Sequence, residues 1–251
     1  MCNLYRMTAP ADAVAKLFRA KAAGSPNFAA EVYPKYTGLV VAEGEVRAMT
    51  WGFPRHAVSK KTGKPLKPTA TNNARDDKLR GNPMWRDSFR DRRCLIPVTA
   101  WAEAEGAAGR MTRTWYSLPD QELFAVAGIW RPTDEWGNAY SMVMVDGCEQ
   151  MADVHDRMPT ILAANDWEQW VAGPPDEAFA LCQIWNGPLL VDRTDEPWFK
   201  KASSLPAPEG PAPSTLAMRA SHMDGDEPEA DDAAFERAAE MARCSMMTRA
   251  V

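Results

Sequence analysis

Apolar positions along the chain fall into helical and strand-like patterns. Residues 11–23 (ADAVAKLFRAKAA) place positions 11, 14, 15, 17 and 18 on one face, behind Thr8, a capping residue type, which predicts a helix. Residues 38–51 (GLVVAEGEVRAMTW) predict two strands joined at a turn containing Gly44. The short apolar runs 93–98 (RCLIPV), 123–130 (LFAVAGIW) and 139–146 (AYSMVMVD) read as further strands. Asn165 with Glu168 has the form of a capping box that opens a helix over 166–172, and a second short helix is expected near 176–184. Strands in runs with interspersed helices predict an α+β fold on a mainly antiparallel sheet.

The pattern changes beyond residue 200. Pro206, Pro208, Pro211 and Pro213 fall close together, and the acidic run DGDEPEADD follows. This composition predicts a largely disordered tail over 201–251, with a short helix over 231–243. One domain is expected over 2–200.

Composition narrows the class. The chain has 251 residues, 45% hydrophobic and 25% charged, which suits a core-forming globular domain and excludes collagenous, coiled-coil and wholly disordered classes. The start MCNLYRMTAP lacks the basic and apolar regions of a secretory signal, and no run reaches the roughly 18 apolar residues of a membrane span. A cytoplasmic protein with no membrane partner is therefore expected. Five scattered cysteines without a C-x-x-C pair imply neither a disulfide framework nor a zinc site.

The net charge of −5 argues against a polyanionic partner, but the distribution permits one. Residues 51–100 hold twelve Lys or Arg against four Asp, a local excess of eight positive charges, whereas residues 201–251 carry an excess of four negative ones. Trp51, Phe53, Trp85 and Phe89 lie within the basic block. Cations interleaved with aromatics suit a single-stranded nucleic acid, whose phosphates attract charge and whose bases stack. They equally suit a solvated surface loop.

Four places can carry chemistry. Cys2 follows the initiator Met, so removal of Met1 would leave an α-amine and a thiol on adjacent carbons. Their ordinary pKa values, about 7.7–8.0 and about 8.5, leave reactive fractions of both near neutral pH. An aldehyde meeting this pair forms an imine that the thiolate closes to a thiazolidine. His155, in V-H-D-R-M-P, sits where a loop leaves a strand and can shuttle protons near pH 7. Glu103 and its rival Glu105, in W-A-E-A-E-G, can act as general acid or base just past a buried strand. Asn73 can hold a carbonyl or hydroxyl, and Arg75 can grip a phosphate with its two-pronged fork.

Taken in order, MCNLY at the start, T-N-N-A-R at 71–75, R-C-L-I-P at 93–97, A-G-I-W at 127–130 and H-D-R-M-P at 155–159 resemble the SRAP family, the SOS-response-associated peptidases. The resemblance spans about residues 2–200. It implies a single α+β domain around a mainly antiparallel, barrel-like sheet flanked by helices, with a basic DNA groove. It implies a monomer that uses no metal or other cofactor. It further implies an abasic-site sensor for single-stranded DNA that crosslinks through Cys2 once Met1 is gone, with AP-lyase and self-processing peptidase activity. The carried-over catalytic residues are Cys2, Asn73, Glu103 (six residues after the Pro of R-C-L-I-P) and His155. The implied DNA contacts are Arg75 and Arg157 to phosphates, with Trp51 or Trp85 stacking on a base. The residues taken without the resemblance leave two other classes open. One is an N-terminal-nucleophile amidohydrolase acting on a small amide, and the other is a non-catalytic single-strand binding module.

Overall fold

A computed structural model describes residues 2–22 and 28–198. The first half of the chain forms β1 (Leu4–Arg6), α1 (Ala11–Leu17), β2 (Lys21–Ala22), β3 (Glu31–Val32), β4 (Thr37–Ala42), β5 (Glu45–Trp51), β6 (Phe53–Arg55), β7 (Thr69–Thr71), β8 (Asn73–Arg75) and α2 (Arg86–Asp91). The second half forms β9 (Arg93–Val98), β10 (Ala100–Glu105), β11 (Thr112–Ser117), β12 (Phe124–Thr133), β13 (Gly137–Asp146), β14 (Arg157–Pro159), β15 (Ile161–Leu162), α3 (Trp167–Ala172), α4 (Pro175–Ala180) and β16 (Leu190–Pro197). None of the described helices is long and apolar enough to cross a membrane. Among the described residues, one compact unit takes those within 2–105 and 112–196 and contains the site, and a second takes 106–111 and 197–198.

Five strands close into a barrel. β4 and β5 form a hairpin, β4 pairs with β9, β9 with β12, and β12 with β13, all antiparallel. β13 then returns to β5 in parallel, with Ala139 opposite Thr50 and Tyr140 opposite Trp51, which completes the ring. The β4–β5 turn has Glu43 at φ 53° and Gly44 at φ 74°, the two left-handed residues that a tight hairpin matched to strand twist requires. β9 is buried throughout, as are the first seven residues of β12. One face lines the barrel, while α2 and α3 pack against the other side of these strands. Continuous apolar runs rather than alternation follow from burial on both faces. A second sheet, in the order β16-β11-β10-β1-β3, carries the N-terminal strand.

The α+β reading and all the expected barrel strands are present, with three local differences. The first helix ends at Leu17, and Arg19 adopts φ 51°. Residues 21–22 instead pair in parallel with β5. Thr8 does not cap α1, because its hydroxyl turns to Thr99 at 3.4 Å. Asn165 lies in a 3-10 turn, so α3 begins from Asp166 with no side-chain cap. The 201–251 tail and its expected short helix lie outside the described residues.

Candidate active site

The N-terminal strand brings Cys2 into the interior. β1 runs antiparallel to β10, with Leu4 opposite Ala102 and Tyr5 opposite Trp101, so the residues before Leu4 lie alongside Glu103. Cys2 is fully buried, and its thiol donates to the Leu4 carbonyl at 3.4 Å. β8 pairs with β13, placing Asn73 opposite Met142. From there the Asn73 amide donates to the Cys2 carbonyl at 2.7 Å. The Asn72 amide donates to the same oxygen at 2.9 Å and to Asn3 Oδ1 at 3.1 Å.

His155 approaches from the loop between β13 and β14. The Arg157 backbone N–H donates to His155 Nδ1 at 2.9 Å, so that nitrogen serves as the acceptor and the neutral ring carries its proton on Nε2. Nε2 lies 4.0 Å from Glu103 Oε2, while Asp156 Oδ1 lies 3.3 Å from Nδ1. Cys2, Asn73, Glu103 and His155 thus come together from four separate stretches of chain. Glu105 does not join them. It accepts hydrogen bonds from Thr114 Oγ1 and from Arg193 Nε, the latter at 3.1 Å.

Burial governs the electrostatics. It pushes the Cys2 thiol well above the usual thiol range, and the Glu103 charge adds to the effect. It likewise raises Glu103 above the usual carboxylate value, against the pull of His155. Burial thus favours the neutral form of both groups over the charged one.

The expected DNA contacts are placed differently from one another. Arg75 is exposed and holds Asp77 through both prongs at 3.0 Å. Arg157 is mostly buried between Asp76 and Asp146, at 3.2 and 3.1 Å. Trp51 and Trp85 require correction as stacking residues. They are 0% and 4% exposed, Trp51 donates its indole N–H to the Asn72 carbonyl at 3.1 Å, and Trp85 packs on Phe53. Neither ring presents a face to a base.

The basic block also divides. Arg93 is a core residue whose guanidinium serves the carbonyls of Phe89, Arg90, Trp170 and Gly173, tying the C-terminal ends of α2 and α3 to β9. Lys78, Arg80, Arg86 and Arg90 pair with nearby Asp side chains. Arg55, Lys60, Lys61, Lys64 and Lys67 are exposed on the β6–β7 hairpin and make no ion pair among the described residues. Asn72 is a site residue that the sequence pattern does not single out. Its signal is its place beside N-A-R, but only the fold shows that two adjacent amides meet one carbonyl.

A buried cysteine, a buried carboxyl group, an imidazole and an amide thus share one neighbourhood at the N-terminal strand, and they form the candidate site. The family model of SOS response associated peptidase (SRAP) matches residues 1–190, and the chain belongs to that family. It is 28% identical over 147 residues to the abasic site processing protein YobE of Bacillus subtilis, covering 48% of this chain and 65% of the relative. It is 30% identical over 106 residues to the abasic site processing protein YoqW of Bacillus phage SPbeta, covering 39% and 46%. The matched stretches span less than two thirds of these relatives. Solved structures of a protein from Bacteroides thetaiotaomicron and one from Bordetella bronchiseptica share the fold, each with a TM-score of 0.64. Their identities are 21% and 20%, and the matches cover 77% of this chain and 93% and 99% of theirs.

Proposed function

We propose that this protein recognises abasic sites in single-stranded DNA and captures them covalently through Cys2 once Met1 has been removed. The convergence of Cys2 with Asn73, Glu103 and His155 carries this reading, and the names of the relatives point to the same lesion.

An abasic deoxyribose opens to an aldehyde at C1′. The Cys2 amine adds to C1′, and protonation of the departing hydroxyl releases water to leave an imine. The Cys2 sulfur then bonds to C1′ while the thiol proton ends on nitrogen, closing the thiazolidine. One water is lost overall. Glu103, whose pKa burial raises above the ordinary carboxylate value, suits the role of acid for ring opening and water loss. His155, with its Nε2 proton toward Glu103, suits the relay that lets the buried thiol ionise. Asn73 and Asn72 hold the Cys2 carbonyl, which orients the amine and thiol toward C1′. β-Elimination from the imine competes with ring closure and gives lyase activity. In self-processing the same thiol bonds to the Met1 carbonyl carbon as the Met1–Cys2 amide breaks, its nitrogen taking the thiol proton, and water then hydrolyses the thioester to release Met1 and restore the thiol.

The DNA backbone follows the exposed cations. Lys60, Lys61, Lys64 and Lys67 are ready for phosphates, and Arg75 and Arg157 exchange a carboxylate for one. Mixing Met1-free protein with abasic single-stranded DNA and resolving the products on a denaturing gel tests the reading. A Cys2-dependent covalent band is expected. Salt-sensitive binding without such a band would reduce the protein to a binding module.

A further inference from the structure

Tyr5 and Tyr140 have no role in the chemistry above, yet their hydroxyls meet at 2.5 Å inside the molecule, and both residues are fully buried. Tyr5 lies on β1, three residues after Cys2. Tyr140 lies on β13, two residues before Met142, the partner of Asn73 in the sheet. Trp51 packs edge-on against the Tyr5 ring at 5.0 Å and sits opposite Tyr140 in the β5–β13 pairing. A Cβ at position 38 would overlap both hydroxyls, so Gly38 on β4 leaves the space in which they meet. Burial pushes both phenols well above their ordinary value, so the pair consists of two neutral hydroxyls at physiological pH.

The placement bears on Cys2. β1 belongs to the five-stranded sheet, and its backbone ladders run to β10 and β3 rather than to the barrel. Among the described residues, two buried polar attachments of this first stretch reach the barrel side, beside the Asn72 bond to Asn3 and the Thr99 N–H on the Arg6 carbonyl. One is the Cys2 carbonyl under Asn72 and Asn73, and the other is the Tyr5–Tyr140 contact. The proposed reaction requires Cys2 as the first residue. Its orientation then depends on these attachments and on β1.

We propose that the Tyr5–Tyr140 hydroxyl pair, housed by Gly38, is a positioning device that fixes the Cys2-bearing strand against the barrel and so aims the amine and thiol. The inference rests on the proposed reaction with abasic DNA. Both tyrosines are positioning residues.

The test uses full-length, Met1-free protein as wild type, Tyr140→Phe and the double variant Tyr5→Phe/Tyr140→Phe. Each is measured for thermal stability and for crosslinking rate over a range of abasic-DNA concentrations. Tyr140→Phe strands the Tyr5 oxygen without its partner and lowers the melting temperature. The double variant removes both polar groups and recovers stability, because matched removal of buried partners is nearly neutral. Positioning predicts that the double variant nevertheless crosslinks about tenfold more slowly at saturating DNA, with an unchanged half-saturating concentration. A double variant that crosslinks at the wild-type rate overturns the inference while leaving the proposed function intact. A wild-type protein that forms no crosslink overturns the proposed function and this inference with it.

Discussion

The two amides on the Cys2 carbonyl make a quantitative prediction. Asn72 and Asn73 are 8% and 7% exposed and donate to one buried oxygen at 2.9 and 2.7 Å. Replacing either with Ala leaves the carbonyl with one donor, so the loss is a net hydrogen bond of about 1 kcal/mol plus the packing of the side chain. Asn72→Ala loses slightly more, because its amide also serves Asn3 at 3.1 Å. Replacing both leaves a buried carbonyl without either donor, a desolvation penalty of about 1–3 kcal/mol that neither single change incurs. The double variant should therefore be destabilised beyond the sum of the singles by about 1 kcal/mol or more, and the packing terms cancel in the cycle. Urea unfolding of the four proteins at pH 7 measures this directly. Additivity within about 0.3 kcal/mol would show that the two amides do not share the load on the Cys2 carbonyl.

Other consequences follow from burial and charge. Glu103 titrates above its ordinary value of 4.5 in the fold, so the native protein binds that proton more tightly than the unfolded chain does. The wild type thus loses stability as pH rises from about 4.5 through the folded pKa, and Glu103→Gln, which cannot ionise, does not. Thermal melts should show the variant more stable at pH 8, with the gap closing toward pH 4; a variant less stable at pH 8 would refute burial as the dominant influence. Arg93→Lys keeps a cation but loses the planar fork that serves four carbonyls, and denaturant unfolding should show a loss of about 2–4 kcal/mol. Neutralising Lys60, Lys61 and Lys64 should flatten the salt dependence of single-stranded DNA binding by about 0.7 in log–log slope for each phosphate those lysines neutralise, and Arg75→Ala by about the same for its single phosphate. An unchanged slope would remove those residues from the DNA path.

Burial explains which parts of this structure are readable from sequence. RCLIPV and LFAVAGIW announce themselves as strands because both of their faces are covered, and the β4–β5 hairpin shows through Gly44 at its turn. The second sheet is hidden. β1 is three residues long, AWAEAE in β10 mixes alanine with acids that favour strands weakly, and most of β16 is exposed. Cys2, Asn73, Glu103 and His155 can be named from their motifs, but their meeting depends on strand pairings between distant parts of the chain, which no local pattern encodes. Trp51 and Trp85 mislead for a physical reason. An aromatic beside cations in sequence is as well placed to anchor the core as to stack on a base, and here both rings turn inward while the lysines turn out. Charge counting fails in the same way at Arg93, which adds to the basic block in sequence but is a buried brace between helices in the fold.

Capture of an abasic aldehyde by Cys2 as a thiazolidine, as proposed, fixes the mass of the adduct. Met1-free protein incubated with an abasic single strand should give a species that survives denaturation, with the mass of protein plus DNA less one water. It should be absent with an intact strand, with Cys2→Ala and with Met1 retained. An adduct of equal yield from Cys2→Ala, or from protein whose Met1 is still attached, would rule out thiazolidine formation at Cys2.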